Sequence, residues 1–337
     1  MSPIRGTLSE VSTDLPLANQ TSNGINFLDT LPRPFFVLAP MDDVTDSVFR
    51  QIIADCAKPD FFVTEFVNVD GLQSPGRPKL IKKLQFTDKE RPIFAQLWGL
   101  NPENFYKTAK EIRKKGFTGI DLNMGCPIKN VIKNGACAAL MNNRELAGEI
   151  IDATRKGAGS EFPVSVKTRV GFTTVDMGWI KFLLSKKLDL LSIHGRTAKQ
   201  LSKIPADWKL IAQARQMRDS LHPATLIVGN GDVMNRMQGL ELAEKHQLDG
   251  IMIGRSIFRD PFVFSKNSPW SEWSKDQKLN LCRRHVELFF KTWQHGEYKL
   301  ETLKKFAKVY INGFNGAGEL RAKFMGVHTP DEALSLL

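Results

Sequence analysis

Residues 35–65 read FFVLAPMDDVTDSVFRQIIADCAKPDFFVTE, and the order of residue types in this stretch decides the fold. An aromatic and β-branched run, Phe35–Ala39, gives way to polar punctuation at Pro40 to Asp43. A helical stretch follows, and a second apolar run, Phe61–Glu65, closes the unit. Short apolar runs bounded by turn formers read as strands, and strands alternating with helical patterns read as βα units of a parallel sheet.

The same unit recurs along the chain. Further runs lie at Ile93–Leu97, Gly119–Asn123, Val164–Arg169, Asp189–His194, Thr225–Gly229 and Gly250–Gly254, their starts 25 to 45 residues apart. Each interval holds one crossover helix. Eight such units predict an α/β fold, a (β/α)8 TIM barrel. The alternative, a doubly wound open sheet, usually carries a glycine fingerprint after its first strand, and Pro40-Met41-Asp42-Asp43 is not one.

On this reading residues 1–30 form an N-terminal arm, 31–270 the barrel, and 271–337 a small all-helical domain. The last region loses its β-branched runs, and Leu279, Cys282, Val286, Phe289, Phe290 and Trp293 recur near the helical period.

The chain has 337 residues with 47 Lys and Arg against 36 Asp and Glu, a net charge of +11. That excess favours an extended polyanion such as nucleic acid over a small metabolite. A run of 18 apolar residues is nowhere present, so no membrane span is expected. Four cysteines, without a C-x-x-C or a paired frame, suit a reducing cytoplasm, and Met1 to Glu10 lack the pattern of a signal peptide.

Function in a barrel of this kind sits on the loops after the strands' C-terminal ends. Those ends bring together Gln96, Asn123, Cys126, Lys167, Arg169, His194, Arg196, Asn230, Asp232 and Arg255. The glycines in Gly229-Asn230-Gly231 and Gly254-Arg255, after strands seven and eight, allow backbone N–H groups to approach a phosphate. Gln96 offers a donor and an acceptor to a planar heterocycle. Cys126, between Gly125 and Pro127, is held where a thiol can serve as nucleophile, metal ligand or general acid. No second Cys or His stands at zinc spacing, which argues against a metal centre. Cys137 lies in an apolar stretch and reads as packing, as do Cys56 and Cys282. Lys167 fits charge stabilisation or, in a competing reading, the Schiff base of an aldolase.

Taken together these runs resemble the tRNA-dihydrouridine synthase family. Ala39-Pro40-Met41, Asp121-Leu122-Asn123-Met124-Gly125-Cys126-Pro127, Val166-Lys167-Thr168-Arg169, His194-Gly195-Arg196-Thr197, Gly229-Asn230-Gly231-Asp232 and Gly254-Arg255 appear in the family's order, and the resemblance covers about 35–330. It implies an FMN barrel with a C-terminal helical RNA-binding domain, reducing the C5=C6 bond of a uridine in tRNA with NADPH as reductant. By the same resemblance Cys126 protonates C5 after hydride reaches C6 from the flavin. Pro40, Met41 and Asp42 would line the flavin, and Gln96 and Lys167 would hold its ring. His194, Asn230, Gly231, Asp232, Gly254 and Arg255 would bind the ribityl phosphate. Asn123, Arg169, Arg196, Lys199, Lys305 and Arg321 are the candidate RNA contacts, with Lys304, Lys308 and Lys323 beside them, and a cytoplasmic monomer is expected. The chain departs from the family's usual Ala-Gly after Pro-Met, having Asp42-Asp43 instead, and Ala198 and Leu201 follow its His-Gly-Arg-Thr. Rival functions are an FMN barrel acting on a free pyrimidine or an enone, the aldolase, and a non-catalytic RNA-binding module.

Overall fold

A computed structural model describes residues 26–337, so all of the expected arm but its last few residues lies outside the described residues. Asn26 accepts a hydrogen bond from Leu28 N–H and starts a short turn, Phe27–Thr30. Leu28 is buried there against Phe35, Val37, Phe61 and Phe94, inside one end of the sheet. Of these last residues of the expected arm, Leu28 is buried and plugs that end of the barrel, whereas Asp29 and Thr30 are exposed.

Among the described residues nine parallel strands form one sheet: β1 Phe35–Leu38, β2 Phe62–Val63, β3 Val67–Asn68, β4 Ile93–Trp98, β5 Gly119–Met124, β6 Val164–Arg169, β7 Leu190–His194, β8 Leu226–Asn230 and β9 Gly250–Ile253. The order β1-β9-β8-β7-β6-β5-β4-β2, with a Val37–Phe61 bridge between the ends, closes the sheet into the predicted barrel. The one expected strand at 61–65 is replaced by two short ones that share β4. At the break, the Thr64 hydroxyl accepts from Gln96 N–H at 3.0 Å, taking the place of a backbone ladder partner.

Alternation along each strand sorts the side chains into two populations. Phe35, Val37, Phe94, Leu190, Val228 and Met252 point inward and fill one end of the barrel. Phe36, Leu38, Ala95, Leu97, Ile120, Leu122, Val166, Ile193 and Ile251 point outward against the helices. Toward the strands' C-terminal ends the inward positions become polar: Gln96, Asp121, Asn123, Ser165, Lys167 and His194. The crossover helices start from side-chain caps, among them Asp46 on Phe49 N–H, Asn143 on Leu146 N–H and Asp176 on Trp179 N–H. Such a cap is worth about 1 kcal/mol and ends each loop at a fixed point.

The C-terminal helices, led by Lys275–Thr292 with its Ser274/Gln277 capping box, pack on the helix Ser47–Ala57. Phe49 stacks on Phe306 at 4.8 Å. Trp293 Nε1 donates to Asp46 Oδ2 at 3.2 Å and Tyr298 Oη to Glu65 Oε2 at 2.8 Å. Beyond Tyr298 the chain forms two short helices, Leu300–Lys304 and Ala307–Tyr310. No described helix is long and apolar enough to cross a membrane.

The loop after β1 is anchored by a fully buried ion pair, Arg50 Nε to Glu90 Oε2 at 2.7 Å. Arg50 also donates to the Thr45 and Gln85 carbonyls, and Ser47 Oγ donates to Glu90 Oε1 at 2.7 Å. Removing one partner of such a pair leaves an uncompensated buried charge. Arg50→Met is therefore expected to lower unfolding free energy by about 3–5 kcal/mol in urea titration, whereas substitution of a surface arginine such as Arg259 should change it by less than about 0.5 kcal/mol.

Candidate functional site

A cavity of about 400 Å³ opens at the C-terminal end of the barrel, within the roughly 300–1,000 Å³ of ligand pockets. Pro40, Met41, Lys167, His194, Asn230, Gly231, Asp232, Gly254 and Arg255, all expected from the sequence, line it. Ala39, quoted with Pro40 and Met41, is on the wall too, and Val233, Met234, Met252, Ser256 and Arg259, which complete it, went unnoticed in the sequence. Of these, Arg259 had a findable signal, since it follows Arg255 by one helical turn.

Gln96 and Asp42 are not on that wall. Gln96 is fully buried and joined to Asp121 and Asn123. The Asp42 carboxylate turns away to an ion pair with Lys83. It sits with Asp43 and Glu65 in a group of converging carboxylates. Glu65 accepts from Asp43 N–H at 2.6 Å and from Tyr298. Burial pushes the Glu65 carboxyl up, against the pull of Lys83 and Tyr298. Residue 43 has φ +56°, a left-handed conformation that Asp tolerates better than most residues.

The turn after β8 depends on Gly231, whose φ is +130°. A Cβ there would stand 2.5 Å from Ala206 Cβ and 3.1 Å from the His194 ring, so only glycine allows this approach. Asp232 accepts from Ala206 N–H at 2.9 Å, from Arg255 at 3.2 Å and from Arg196. Burial works against its ionisation, but the hydrogen bonds from Arg196 and Ala206 outweigh it and hold the carboxyl below its usual range.

Lys167 has no hydrogen-bond partner among the described residues, and faces the cavity. Burial, aided by Arg169, lowers its ammonium to about 8. His194 is brought down to about 2, first by burial and then by Arg169, Lys167, Arg196 and Arg255. Its imidazole is thus neutral. Because Arg196 Nη1 lies 3.0 Å from His194 Nε2 and a guanidinium can only donate, Nε2 is the acceptor and Nδ1 carries the proton.

Cys126 lies on the loop after β5 and, like Gln96 and Asp42, is not on the cavity wall, although the charges of Lys167, Asp42 and Arg169 act on its thiol. Asn123 Oδ1 accepts from Gly125 N–H at 3.2 Å and from Cys126 N–H at 3.0 Å. Arg169 Nε donates to the Gly125 carbonyl at 2.9 Å. A Cβ at Gly125 would meet the Thr168 backbone at 3.2 Å, which explains the glycine before the thiol. Burial pushes the Cys126 thiol up despite Ile128 N–H and Lys167, so it stays protonated at neutral pH. Cys137 is buried and its thiol is pushed up by burial, as are Cys56 and Cys282, both to about 12.

The candidate RNA contacts separate. Arg169 is 8% exposed and Arg196 3%. Arg169 also donates to the Thr197 and Leu201 carbonyls, and Arg196 to Ile204 O, His194 and Asp232. Their guanidinium groups brace the loops after β5 to β8. Lys304 is buried, Lys305 half-buried, and Arg321 donates to Ile311 O at 2.6 Å. Lys199, Lys308 and Lys323 are exposed.

The dihydrouridine synthase family model matches residues 37–337. A probable tRNA-dihydrouridine synthase of Staphylococcus aureus (strain COL) is 44% identical over 93% of this chain and 94% of its own length. Probable tRNA-dihydrouridine synthase 2 of Bacillus subtilis (strain 168) is 44% identical over 93% and 95%. Among solved structures, 2-naphthoyl-CoA reductase with 2-naphthoyl-CoA superposes at TM-score 0.54 and 12% identity, over 68% of this chain and 49% of that one. A morphinone reductase variant with tetrahydroNAD does so at 0.50 and 13%, over 72% and 90%. At such identities the likeness is one of fold.

The neutral imidazole can be checked directly. Across pH 5 to 8 the His194 ring resonances are expected to stay fixed in NMR, with the Nδ1-protonated pattern, whereas an unperturbed histidine titrates within that range, near about 6.5.

Proposed function

The chain belongs to the dihydrouridine synthase family, and on that premise we propose that it reduces the C5=C6 bond of specific uridines in tRNA to 5,6-dihydrouridine, with FMN as its flavin and NADPH as the reductant. The observation that carries this reading is a thiol within electrostatic reach of Lys167 and Arg169, next to a cavity lined by cations and glycine turns. A protonated thiol stands on the β5 loop, and a cationic cradle stands on the loops after β6 to β9.

The cradle suits a phosphorylated, planar cofactor. Gly231 leaves room where a side chain would close the turn, Arg255 and Arg259 lie on the wall, and Lys167 is a cation without a partner among the described residues. Gly231, Gly254, Arg255 and Arg259 would hold the phosphate, Lys167 the electron-rich edge of the ring, and Pro40 and Met41 would line it. The flavin, when bound, supplies the hydride. His194 is fixed by Arg196 as a neutral donor through Nδ1, so it adds direction without adding charge.

Cys126 then supplies the proton from Sγ. A thiol raised above its ordinary range holds that proton at neutral pH, as a general acid must. Asn123 and Arg169 fix the backbone on which the thiol is carried. The excess of basic residues on the chain supports a polyanionic substrate, and the exposed lysines Lys199, Lys308 and Lys323 are its contacts in this reading.

In a strain lacking the encoding gene, reintroduction of the protein is expected to restore dihydrouridine at defined tRNA positions, mapped by mass spectrometry. Cys126→Ala should retain the flavin absorbance and lose roughly 10²–10⁴-fold in turnover. Cys137→Ala should remain active, and the opposite ranking of the two variants would move the acid to the other thiol.

Lys167 gives flavin binding a pH dependence. Its cation is present below about pH 8 and is lost as the pH rises through that value. FMN affinity, measured by fluorescence quenching, is therefore expected to be flat from pH 6 to 7.5 and to fall above pH 8, and Lys167→Met should bind more weakly with a flat profile.

A further inference from the structure

A row of polar side chains in the barrel ends on Asn123, and its other members, Gln96, Asp121 and Ser165, have no task in the reaction as proposed. Ser165 Oγ donates to Asp121 Oδ1 at 2.5 Å, and Gln96 Nε2 donates to Asp121 Oδ2 at 2.7 Å. Asn123 Nδ2 donates to Gln96 Oε1 at 3.1 Å, and Asn123 Oδ1 receives the N–H groups of Gly125 and Cys126. Asp121 is 2% exposed, Gln96 fully buried and Asn123 9% exposed. Gln96 and Asp121 are register partners on β4 and β5, and Asp121 and Ser165 on β5 and β6.

The direction of these bonds matters. Both amides have a donor end and an acceptor end, and each can be rotated to exchange them. A terminal group that can only donate or only accept fixes which way they point: the Gly125 and Cys126 N–H groups do so at the loop end, and an ionised carboxylate does so at the other. With Asp121 accepting, Gln96 must turn its NH2 down and its oxygen up. Asn123 must then give its NH2 to Gln96 and keep its oxygen for the loop. If Gln96 were reversed, Asn123 would present NH2 to two backbone N–H groups, and the cysteine loop would lose its anchor.

We propose that Asp121 is a positioning residue for Cys126: its carboxylate holds the far end of the Gln96–Asn123 relay in the polarity that the loop N–H groups require, and so strengthens the hold on the thiol-bearing loop. The significance of that placement rests on the function proposed above. Burial pushes the Asp121 carboxyl up, and the hydrogen bonds from Gln96 and Ser165, with the charge of Lys167, work against that push in favour of the ionised form.

The test compares wild type, Asp121→Asn and the double variant Asp121→Asn with Gln96→Glu. In the single variant the terminal group can donate or accept, because Ser165 Oγ has a second acceptor in Ile120 O at 3.3 Å. In the double variant the carboxylate is moved one place along the row. The carboxylate introduced at position 96 accepts from the amide introduced at position 121 and from Asn123 alike, so Asn123 recovers its orientation. Hydrogen exchange is measured on the Gly125 and Cys126 amides, together with the rate at which iodoacetamide alkylates Cys126 and the dihydrouridine yield per flavin.

Asp121→Asn is expected to lose about tenfold in protection of the two amides, the order of one net hydrogen bond. Its Cys126 alkylation should be faster, and its turnover about tenfold lower, while flavin remains bound. The double variant should recover protection, alkylation rate and most of the turnover. Unchanged protection in Asp121→Asn, or loss that the double variant does not recover, would overturn the relay. Exchange and alkylation need neither RNA nor reductant, so absence of dihydrouridine in wild type would count against the proposed reaction and leave the relay tested on its own.

Discussion

Closure of the sheet, through the pairing of β1 with β9 and the bridge from Val37 to Phe61, is the constraint from which the site follows. In a closed parallel barrel every second residue must face the interior, and the interior narrows to a packed core. Phe35, Val37, Phe94, Val228 and Met252 use up that space at one end. Nearer the strands' C-terminal ends most inward residues on β4 to β7 are polar, and there they face each other. Gln96, Asp121, Asn123, Lys167 and His194 are neighbours because of parity and register, although up to 98 residues of chain separate them.

Electrostatics decides what the mouth can hold. Lys167, Arg169, Arg196 and Arg255 all act on His194, and together with its burial they keep its ring neutral. Gathering four cations is costly in a partly buried space unless counter-charge is supplied. Asp232 supplies one unit and is already shared between Arg196 and Arg255. Arg169 and Arg196 spend their nitrogens on loop carbonyls and on Asp232, which makes them braces with residual field. Lys167 has no such outlet among the described residues, and the remaining positive potential falls on the cavity it faces. A dianionic phosphate at one end and an electron-rich ring at the other would complete the balance.

Much of this was legible in the sequence because it depends on local rules. The alternation in Phe35–Leu38 and Gly119–Met124, the glycines at 231 and 254, and the Gly125-Cys126-Pro127 turn each state their geometry within a few residues. What was not legible depends on partners distant in sequence. Nothing in Gln96 reveals that Asp121 and Asn123 hold both ends of its amide, and nothing in Arg196 reveals that Ile204 O, His194 and Asp232 consume it. Asp42-Asp43 is the clearest instance. As a dipeptide it places two negative charges beside an anion site. In the fold one is neutralised by Lys83, and the other occupies a left-handed position with φ +56°.

The same acidic corner explains why the C-terminal helices carry a basic excess that is only partly free. The sheet is thinnest there, with β2 and β3 two residues each. Trp293 and Tyr298 reach across to Asp46 and Glu65, and Arg284 pairs with Asp55. Burial lowers the Lys305 ammonium, although Asp43, Asp46, Glu65 and Asp42 draw it toward its charged form. Burial raises Asp46 to about 7, so its ionisation is disfavoured in the fold, and the corner contributes less stability as pH rises from about 4 toward 7. The cations that lean on this group buttress the weak side of the barrel. Under the proposed function the grip on RNA falls to the exposed lysines that have no such duty, Lys308 and Lys323 on the helices and Lys199 on the loop after β7.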